Sequence, residues 1–566
     1  MAPPVQAQWA VLNTLRTCTT AKHVRDLIHK VHSSGQATDL SAETLATTCQ
    51  TLCRLSSRER VPYRMCSATT ILVEWVRERL AAKRCTPVVA AKLLQASQIL
   101  LRDERPGTAV ALIDLFKQGI DSMDPGPFIG GVIAISNMKA PLRADESLWS
   151  AVVRRGEPML SDVSASELAK FVGAIVRVGL VQEPVIPLFK KASEKITELG
   201  VDGMATGRLA ELVWALSRTG TLPYEFARTV VADRVISEMS FLTPQLMSQF
   251  VCSMAHSAVC PRRLYDALEN RLQAQLAPES PEPSSYSTQS LANMAWSMAV
   301  ARRPALMPNL WRVLQERSDI TIGELCQTFQ SMTYANLCAD PGAIALPPDQ
   351  DPDLVDLRYR SREVFFDDQP LQATSDIHLS VVKAAFETWP GAVQVEEQCS
   401  KTGYWLDFAL PKKRMAWEVN GPHHYCRLSM RMRGASLLKK SIVVAAGWDF
   451  RSIPYYDWTF GKANMEGKVN YLKMSAMPTG KDVGARRTRR TTSVNKDFVE
   501  NVSPEEGAEL GAHGHPDTFA DDDDVSATHN STPSNACTAT SPVSEITGVD
   551  DPPASEVRDS ECRVPC

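Results

Sequence analysis

Through most of the first 340 residues, apolar side chains recur at three- and four-residue intervals, the spacing of one face of an α-helix, and the pattern itself repeats. The clearest copies are Leu209-Ala210-Glu211-Leu212-Val213-Trp214-Ala215 and Leu291-Ala292-Asn293-Met294-Ala295-Trp296. Weaker copies begin near Leu45, Ala90, Phe128, Leu168, Met247 and Leu325, at intervals of 34 to 45 residues. Several are followed by a proline, at Pro141, Pro223, Pro261 or Pro304, and then by a more polar stretch such as residues 224–239 or 262–275. Each unit therefore reads as an apolar helix, a turn and a second, more polar helix. A helix pair of this size cannot bury its apolar face alone, so residues 45–340 are expected to stack into an α-helical solenoid.

The period changes after residue 370. Residues 341–370 are proline-rich and acidic, with Pro347-Pro348 and Asp349, Asp351 and Asp353 close together, and read as a linker. Residues 377–389 then carry Leu379, Val382, Ala385 and Phe386 at helical spacing. Two short apolar runs follow, Trp405–Leu410 and residues 415–419, separated by Pro411-Lys412-Lys413-Arg414, which is a strand, turn, strand signal. Residues 430–446 read as a helix that Gly447 ends, and residues 448–453 as a last strand before Pro454. Residues 371–475 are expected to form a small α/β domain with a helix packed on its sheet.

Composition adds limits. The chain has 566 residues, 44% of them apolar and 22% charged, the balance of a globular protein. No apolar run reaches the length of a membrane span, so no membrane association is expected. The 14 cysteines include no Cys-x-x-Cys pair, which points to a reducing compartment and against a zinc site. No acidic residue precedes Asp26, while Arg16, Lys22 and Arg25 stand among several threonines. Residues 1–44 accordingly read either as an organellar transit peptide or as a polar leader with a first repeat helix over residues 24–31. Residues 476–566 are rich in Ser, Thr, Pro and Asp, with four aspartates in a row at 521–524, and are expected to be a disordered tail. The run Arg486-Arg487-Thr488-Arg489-Arg490 within it reads as a solvated basic patch, a nuclear signal or an RNA-contacting arm.

Charge separates one region from the rest. Residues 401–473 hold 13 Lys and Arg against 5 Asp and Glu, a net of +8 in a chain whose total is −4. Lys412, Lys413 and Arg414 share one turn; Arg427, Arg431, Arg433, Lys439 and Lys440 lie on or beside one helix. Such a patch neutralises phosphates, which points to a nucleic acid. Aromatic residues are interleaved with it. Trp417 and Trp448 fall within apolar strands and are expected in the core, whereas Tyr425 and Tyr455 are the candidates for stacking on unpaired bases. Asp407 and Glu418 fall near the ends of adjacent strands, where two carboxylates can hold a hard cation such as Mg²⁺. His424 and its neighbour His423 are the titratable groups at hand for acid–base work. The alternative for the two acids is strand-end hydrogen bonding.

The segment from Tyr404 to Trp458 resembles the RAP domain in the residues Trp405-Leu406-Asp407-Phe408, Glu418-Val419-Asn420-Gly421-Pro422-His423-His424-Tyr425 and Ile453-Pro454-Tyr455-Tyr456-Asp457-Trp458. That resemblance implies a small RNA-binding module of the kind found at the C-termini of organellar RNA-processing proteins. It also implies a fold similar to PD-(D/E)xK nucleases, in particular the very-short-patch-repair endonucleases. In those enzymes the positions of Asp407 and Glu418 bind metal and a lysine follows the Glu by two residues; here that residue is Asn420. The Leu-Ala-x-x-x-Trp copies resemble octotricopeptide repeats and the helical arrays of the FAST-kinase-domain family, which implies RNA binding by the array as well.

Three readings follow. The first is an organellar RNA-binding protein, of the mitochondrial matrix in the leading reading and otherwise of a plastid or the nucleus. It would act on single-stranded or structured RNA in processing, stability or maturation, alongside ribonucleoprotein partners and without a cofactor. The second is a Mg²⁺-dependent endoribonuclease with Asp407 and Glu418 as ligands and His424 as acid–base group. The third is a protein-interaction scaffold.

Overall fold

The computed structural model describes residues 3–59, 67–100, 106–138, 145–276, 285–339, 352–367, 375–459 and 464–477. Helices dominate as far as Thr388. The apolar helix of each repeat forms an inner row: Ala42–Glu59, Pro87–Leu100, Pro125–Ser136, Ala165–Arg177, Thr206–Thr219, Pro244–His256, Thr288–Val300 and Ile322–Cys338. Each packs against the next. The stacking that the repeat predicts is therefore the one observed, with the more polar helices on the outside.

A recurrent N-cap explains where the inner helices begin. The side chains of Ser41, Thr86, Ser164, Thr243, Ser287 and Thr321 each accept a hydrogen bond from the backbone N–H three residues on, four residues before the leading apolar residue of the repeat. Glu167 and Glu324 complete capping boxes. Pro223 and Pro261 occupy the positions just before the outer helices, where a missing N–H costs nothing. The outer helix after Pro223 runs from Tyr224–Phe226 through a π turn at Ala227–Val231 into Ala232–Ser237.

The inner helices are joined by apolar contacts and by a row of polar bonds between consecutive repeats. Gln50 donates to Gln95 at 3.2 Å, Arg177 to Glu211 at 2.7 Å, Gln327 to Asn293 at 3.0 Å and the Trp296 indole N–H to Gln330 at 2.7 Å. Trp296 is fully buried, as its repeat position predicts, and its ring lies tilted against that of His256, centroids 4.5 Å apart. Trp214 is only half-buried against the same core.

One segment differs from expectation. Residues 352–367, expected within a linker, form the helix Pro352–Asp367. Its Leu357 and Phe365 are buried, and Phe365 lies between Phe329 of the last inner helix and Tyr404 beside the sheet. An acidic, proline-marked composition hides an amphipathic pattern here, because the buried apolar anchors Leu357 and Phe365 stand among charged residues. At the other end, the helices Pro3–Thr17 and Ala21–Ser33 bury Val11, Leu15, Val24, Ile28 and Val31 in the core of the array. The remainder of the expected linker and the tail beyond Met477 lie outside the described residues.

The C-terminal α/β unit has a four-stranded sheet in the order β1 (Gln394–Gln398), β2 (Trp405–Leu410), β3 (Met415–Asn420), β4 (Asp449–Pro454). The first three strands are antiparallel and β3–β4 is parallel, with the helix Gly434–Ala445 in the crossover. β1 carries the polar sequence Gln-Val-Glu-Glu-Gln and gives no strand signal in the chain; it forms as an edge because β2 offers it a partner.

The sheet has two different faces. Phe408, Leu410, Trp417, Val419 and Ile453 pack with Val381, Trp458 and Leu472 of the helices Asp376–Thr388, Tyr455–Thr459 and Met465–Ser475. Trp417 stacks on Phe408 at 5.0 Å and donates to Ser475. On the other face Ala409 and Ala416 meet Leu438, Ile442 and Val443 of the crossover helix, and these are continuous with the core of the array. The crossover helix is thus sandwiched between sheet and array. No described helix is long and apolar enough to cross a membrane.

Trp296→Ala should cost about 3–5 kcal/mol, because a buried ring and its indole bond are both lost. Trp214→Ala should cost clearly less, its ring being only half-buried. Denaturant midpoints check both, and an unchanged midpoint for Trp296→Ala would overturn the core assignment.

Candidate functional site

The face of the sheet under the crossover helix carries a buried polar cluster. Pairing of Phe408 with Trp417 in the β2–β3 register sets Asp407 opposite Glu418, and β3 also contributes Asn420, two residues on and on the same face. Asp407 accepts a hydrogen bond from the Val419 N–H at 2.6 Å. Glu418 is buried, and its Oε1 takes the ammonium of Lys439, which reaches down from the crossover helix at 2.5 Å. Asn420 donates to Ser452 on β4. Glu418 Oε2 and Asn420 Oδ1 are buried without a hydrogen-bond partner.

The electrostatics follow from this packing. Burial and the neighbouring Asp407 carboxylate push the Glu418 carboxyl up, to about 7, while Lys439 pulls it back down. His424, whose Nδ1 lies 2.9 Å from Ser436 Oγ, is driven down to about 3 by burial and by His423, Lys439 and Arg433. Burial and the neighbouring cations thus disfavour the charged form of His424, the form needed for it to act as an acid.

An all-oxygen set of two carboxylates and an amide is chemically suited to Mg²⁺. In this structure the Lys439 ammonium bonds one oxygen of Glu418, while Glu418 Oε2 and Asn420 Oδ1 are buried without a hydrogen-bond partner. Among the described residues, no group of three or more His, Cys, Asp or Glu is placed to hold an ion. The lysine that the sequence lacks at position 420 thus comes from a different element, where spacing along the strand could not reveal it.

The basic residues divide into two sets. Lys412 and Lys413 are exposed on the turn Pro411–Lys413, and Lys440 is exposed on the crossover helix. Arg414 stacks over Trp448 at 4.6 Å and donates to the Ala446 carbonyl at 2.8 Å. The others face the array. Arg433 donates to the Ser217 carbonyl at 2.7 Å, Arg427 pairs with Glu183 at 3.6 Å, and Arg431 lies 4.1 Å over the Tyr224 ring. Lys439 is turned into the sheet. Residues 430–433, read as the start of the helix, are instead loop, with Tyr425 bridged to Met432 and the helix beginning at Gly434.

Tyr425, expected at the surface, is buried. It forms a cluster with Tyr455 at 6.1 Å and Tyr456 at 5.6 Å at the ends of β3 and β4. Tyr455 is half-exposed. Nothing local in residues 421–433 specifies that the loop between β3 and the crossover helix has a packing partner.

Because Glu418 is more basic in the folded chain than unfolded, folding takes up a proton, and stability should fall as pH rises from about 4.5 toward 7. Asp407→Asn removes the repelling charge and should flatten that fall. Unfolding midpoints measured across this range check it; superimposable profiles for the two proteins would contradict the assignment.

Comparison with known proteins places this geometry. The family model described as RAP domain matches residues 417–475, from β3 to the last helix. A RAP domain-containing protein, chloroplastic, of Oryza sativa subsp. japonica is 31% identical over 71 residues, which is 12% of this chain and 10% of that protein. The chain thus spans about a tenth of that relative's length. The C-terminal α/β unit carries a RAP domain, a domain of RNA-binding type, and helical repeats precede it.

Proposed function

We propose that this protein is an organellar RNA-binding factor that acts in RNA processing, stability or maturation, with the array and the RAP domain contributing to one RNA-binding surface. The observation that carries the reading is the continuity of the two parts: a RAP domain with a net positive charge is packed directly onto a stack of helical repeats. The exposed Lys412, Lys413 and Lys440 are suited to backbone contact, and the half-exposed Tyr455 to stacking. The plastid assignment of the rice relative supports an organelle, and we propose the mitochondrion. The acidic pair has a structural role in this reading: Lys439 bonds Glu418 across the sheet–helix interface, and RNA binding needs no metal.

Crosslinking of the tagged protein to RNA in cells, followed by sequencing, should recover a defined set of organellar transcripts, and imaging should show it with a mitochondrial marker. Recovery of no RNA above background would favour a scaffold.

In vitro, the purified chain should bind single-stranded RNA with an affinity that falls as salt rises, and binding should survive chelation. Replacing Lys412, Lys413 and Lys440 by Gln should weaken binding to all sequences alike. Cleavage of RNA with Mg²⁺ that disappears in both Asp407→Asn and Glu418→Gln would replace this reading by the ribonuclease one.

A further inference from the structure

The inner helices share a second register besides their apolar one. Counted from the leading apolar residue of each repeat, the positions two and five residues on are both half-buried on the first three inner helices. Polar side chains at these positions meet across neighbouring helices. Gln50 Nε2 donates to the Lys92 carbonyl at 3.3 Å and to Gln95 Oε1 at 3.2 Å. A carbonyl can only accept, so it fixes which way the Gln50 amide points, and Gln95 must then present its oxygen. The Gln50 Oε1 acceptor and the Gln95 Nε2 donor are left side by side, with no further hydrogen bond among the described residues. Gly130 on the next inner helix makes room for this pair: a Cβ there would lie 1.9 Å from the Gln95 amide nitrogen. The arrangement recurs at the other end of the row. Gln327 Nε2 donates to Asn293 Oδ1 at 3.0 Å, each two residues into its repeat, which leaves Asn293 Nδ2 and Gln327 Oε1.

The charges along this face are not balanced within the chain. Its acids are already taken: Glu43 pairs with Lys92, and Glu211 with Arg177 at 2.7 Å and Arg208 at 2.6 Å. Lys170, two residues into the fourth repeat, and the exposed Arg54, nine residues into the first, are in no ion pair among the described residues. An open donor beside an open acceptor matches the edge of an unpaired base, which displays the same groups in adjacent pairs. Surplus cations along the same face match the phosphates that join such bases. A polypeptide could meet the amides, but it brings no regularly spaced negative charge to the cations. A stack of repeats, finally, offers its side chains once per helix, the geometry in which a single strand is read base by base.

We propose that the amide row on the inner helices discriminates among the bases of a single-stranded RNA: Gln50 Oε1 and Gln95 Nε2 bond the edge of one base, and Arg54 and Lys170 take phosphates along the strand. Asn293 and Gln327 do the same for a second base at the far end of the row. The inference rests on the RNA-binding reading and adds to it the residues that set sequence preference. Gly130 is a positioning residue, since its missing side chain is the space in which the Gln95 amide lies.

The test uses the full chain and a pool of short single-stranded RNAs of random sequence, selected on the protein and sequenced. The unaltered chain should enrich a motif. In Gln50→Leu/Gln95→Leu the preference at one position of that motif should fall by roughly tenfold. Gly130→Ala keeps every polar group and displaces only the end of a flexible side chain, so it should fold normally and lose the same preference. Arg54→Gln/Lys170→Gln should instead weaken binding to all sequences alike, with log affinity against log salt shallower by about 1.4 for two phosphates of a single strand. A motif unchanged in the folded amide and glycine variants would overturn the row while leaving RNA binding intact, and so would binding by the unaltered chain without sequence preference. Absence of binding by the unaltered chain would overturn the RNA reading and the row with it. Should neither variant fold, crosslinking the unaltered protein to 4-thiouridine strands decides. Crosslinks within residues 43–54 and 88–95 are expected, and crosslinks confined to the RAP domain would refute the proposal.

Discussion

The close approach of the RAP domain to the ends of two repeat helices governs the rest of the architecture. Gly434, the first residue of the crossover helix, rests against the Ala255 carbonyl so closely that a Cβ there would overlap the backbone. The contact sets a helix N-terminus, with its unpaired N–H groups, near the carbonyl end of another helix, and Arg433 beside it satisfies two more carbonyls. Once the helix is seated, Leu438, Ile442 and Val443 complete the core of the array while Lys439 faces the sheet. One helix therefore serves two layers.

That arrangement changes what the basic patch can do. In sequence, Arg427 through Lys440 look like one solvated surface. In the fold, some of these charges hold the two parts together, one is consumed by a buried carboxylate, and Lys440 is left exposed on the crossover helix. A charge count over the segment measures the potential of the region without saying which residues carry contact. The same applies to the acidic pair. Asp407 and Glu418 lie opposite each other as their strand positions imply, but the ammonium beside them turns the cluster into a buried ion pair with a displaced proton affinity.

The array has the opposite character. Its inner helices owe their limits to local chemistry, a Ser or Thr cap four residues before the leading apolar residue and often a proline after the turn. Because each repeat meets its neighbours through the same face, the stack needs little long-range information. Polar bonds such as Asn293–Gln327 and Trp296–Gln330 then tie adjacent repeats at equivalent positions.

What could be read along the chain is what depends on neighbours in sequence. The period of about 40 residues gives the stacked helices, the alternation around residues 405–420 gives β2 and β3, and Gly447 and Pro454 mark where elements stop. The buried places of Trp296, Trp417 and Trp448 follow from the same patterns. Tertiary structure decided the rest. The polar strand Gln394–Gln398 forms only because β2 presents an edge, and the helix Pro352–Asp367 because Phe329 and Tyr404 enclose Phe365. Tyr425 is buried because the loop that carries it is pressed onto Gly220, some two hundred residues away in sequence. Lys439 meets Glu418, and Arg218 meets the RAP loop, by the same cause: these partners are brought together by packing of whole elements, and no spacing within either segment encodes the distance between them.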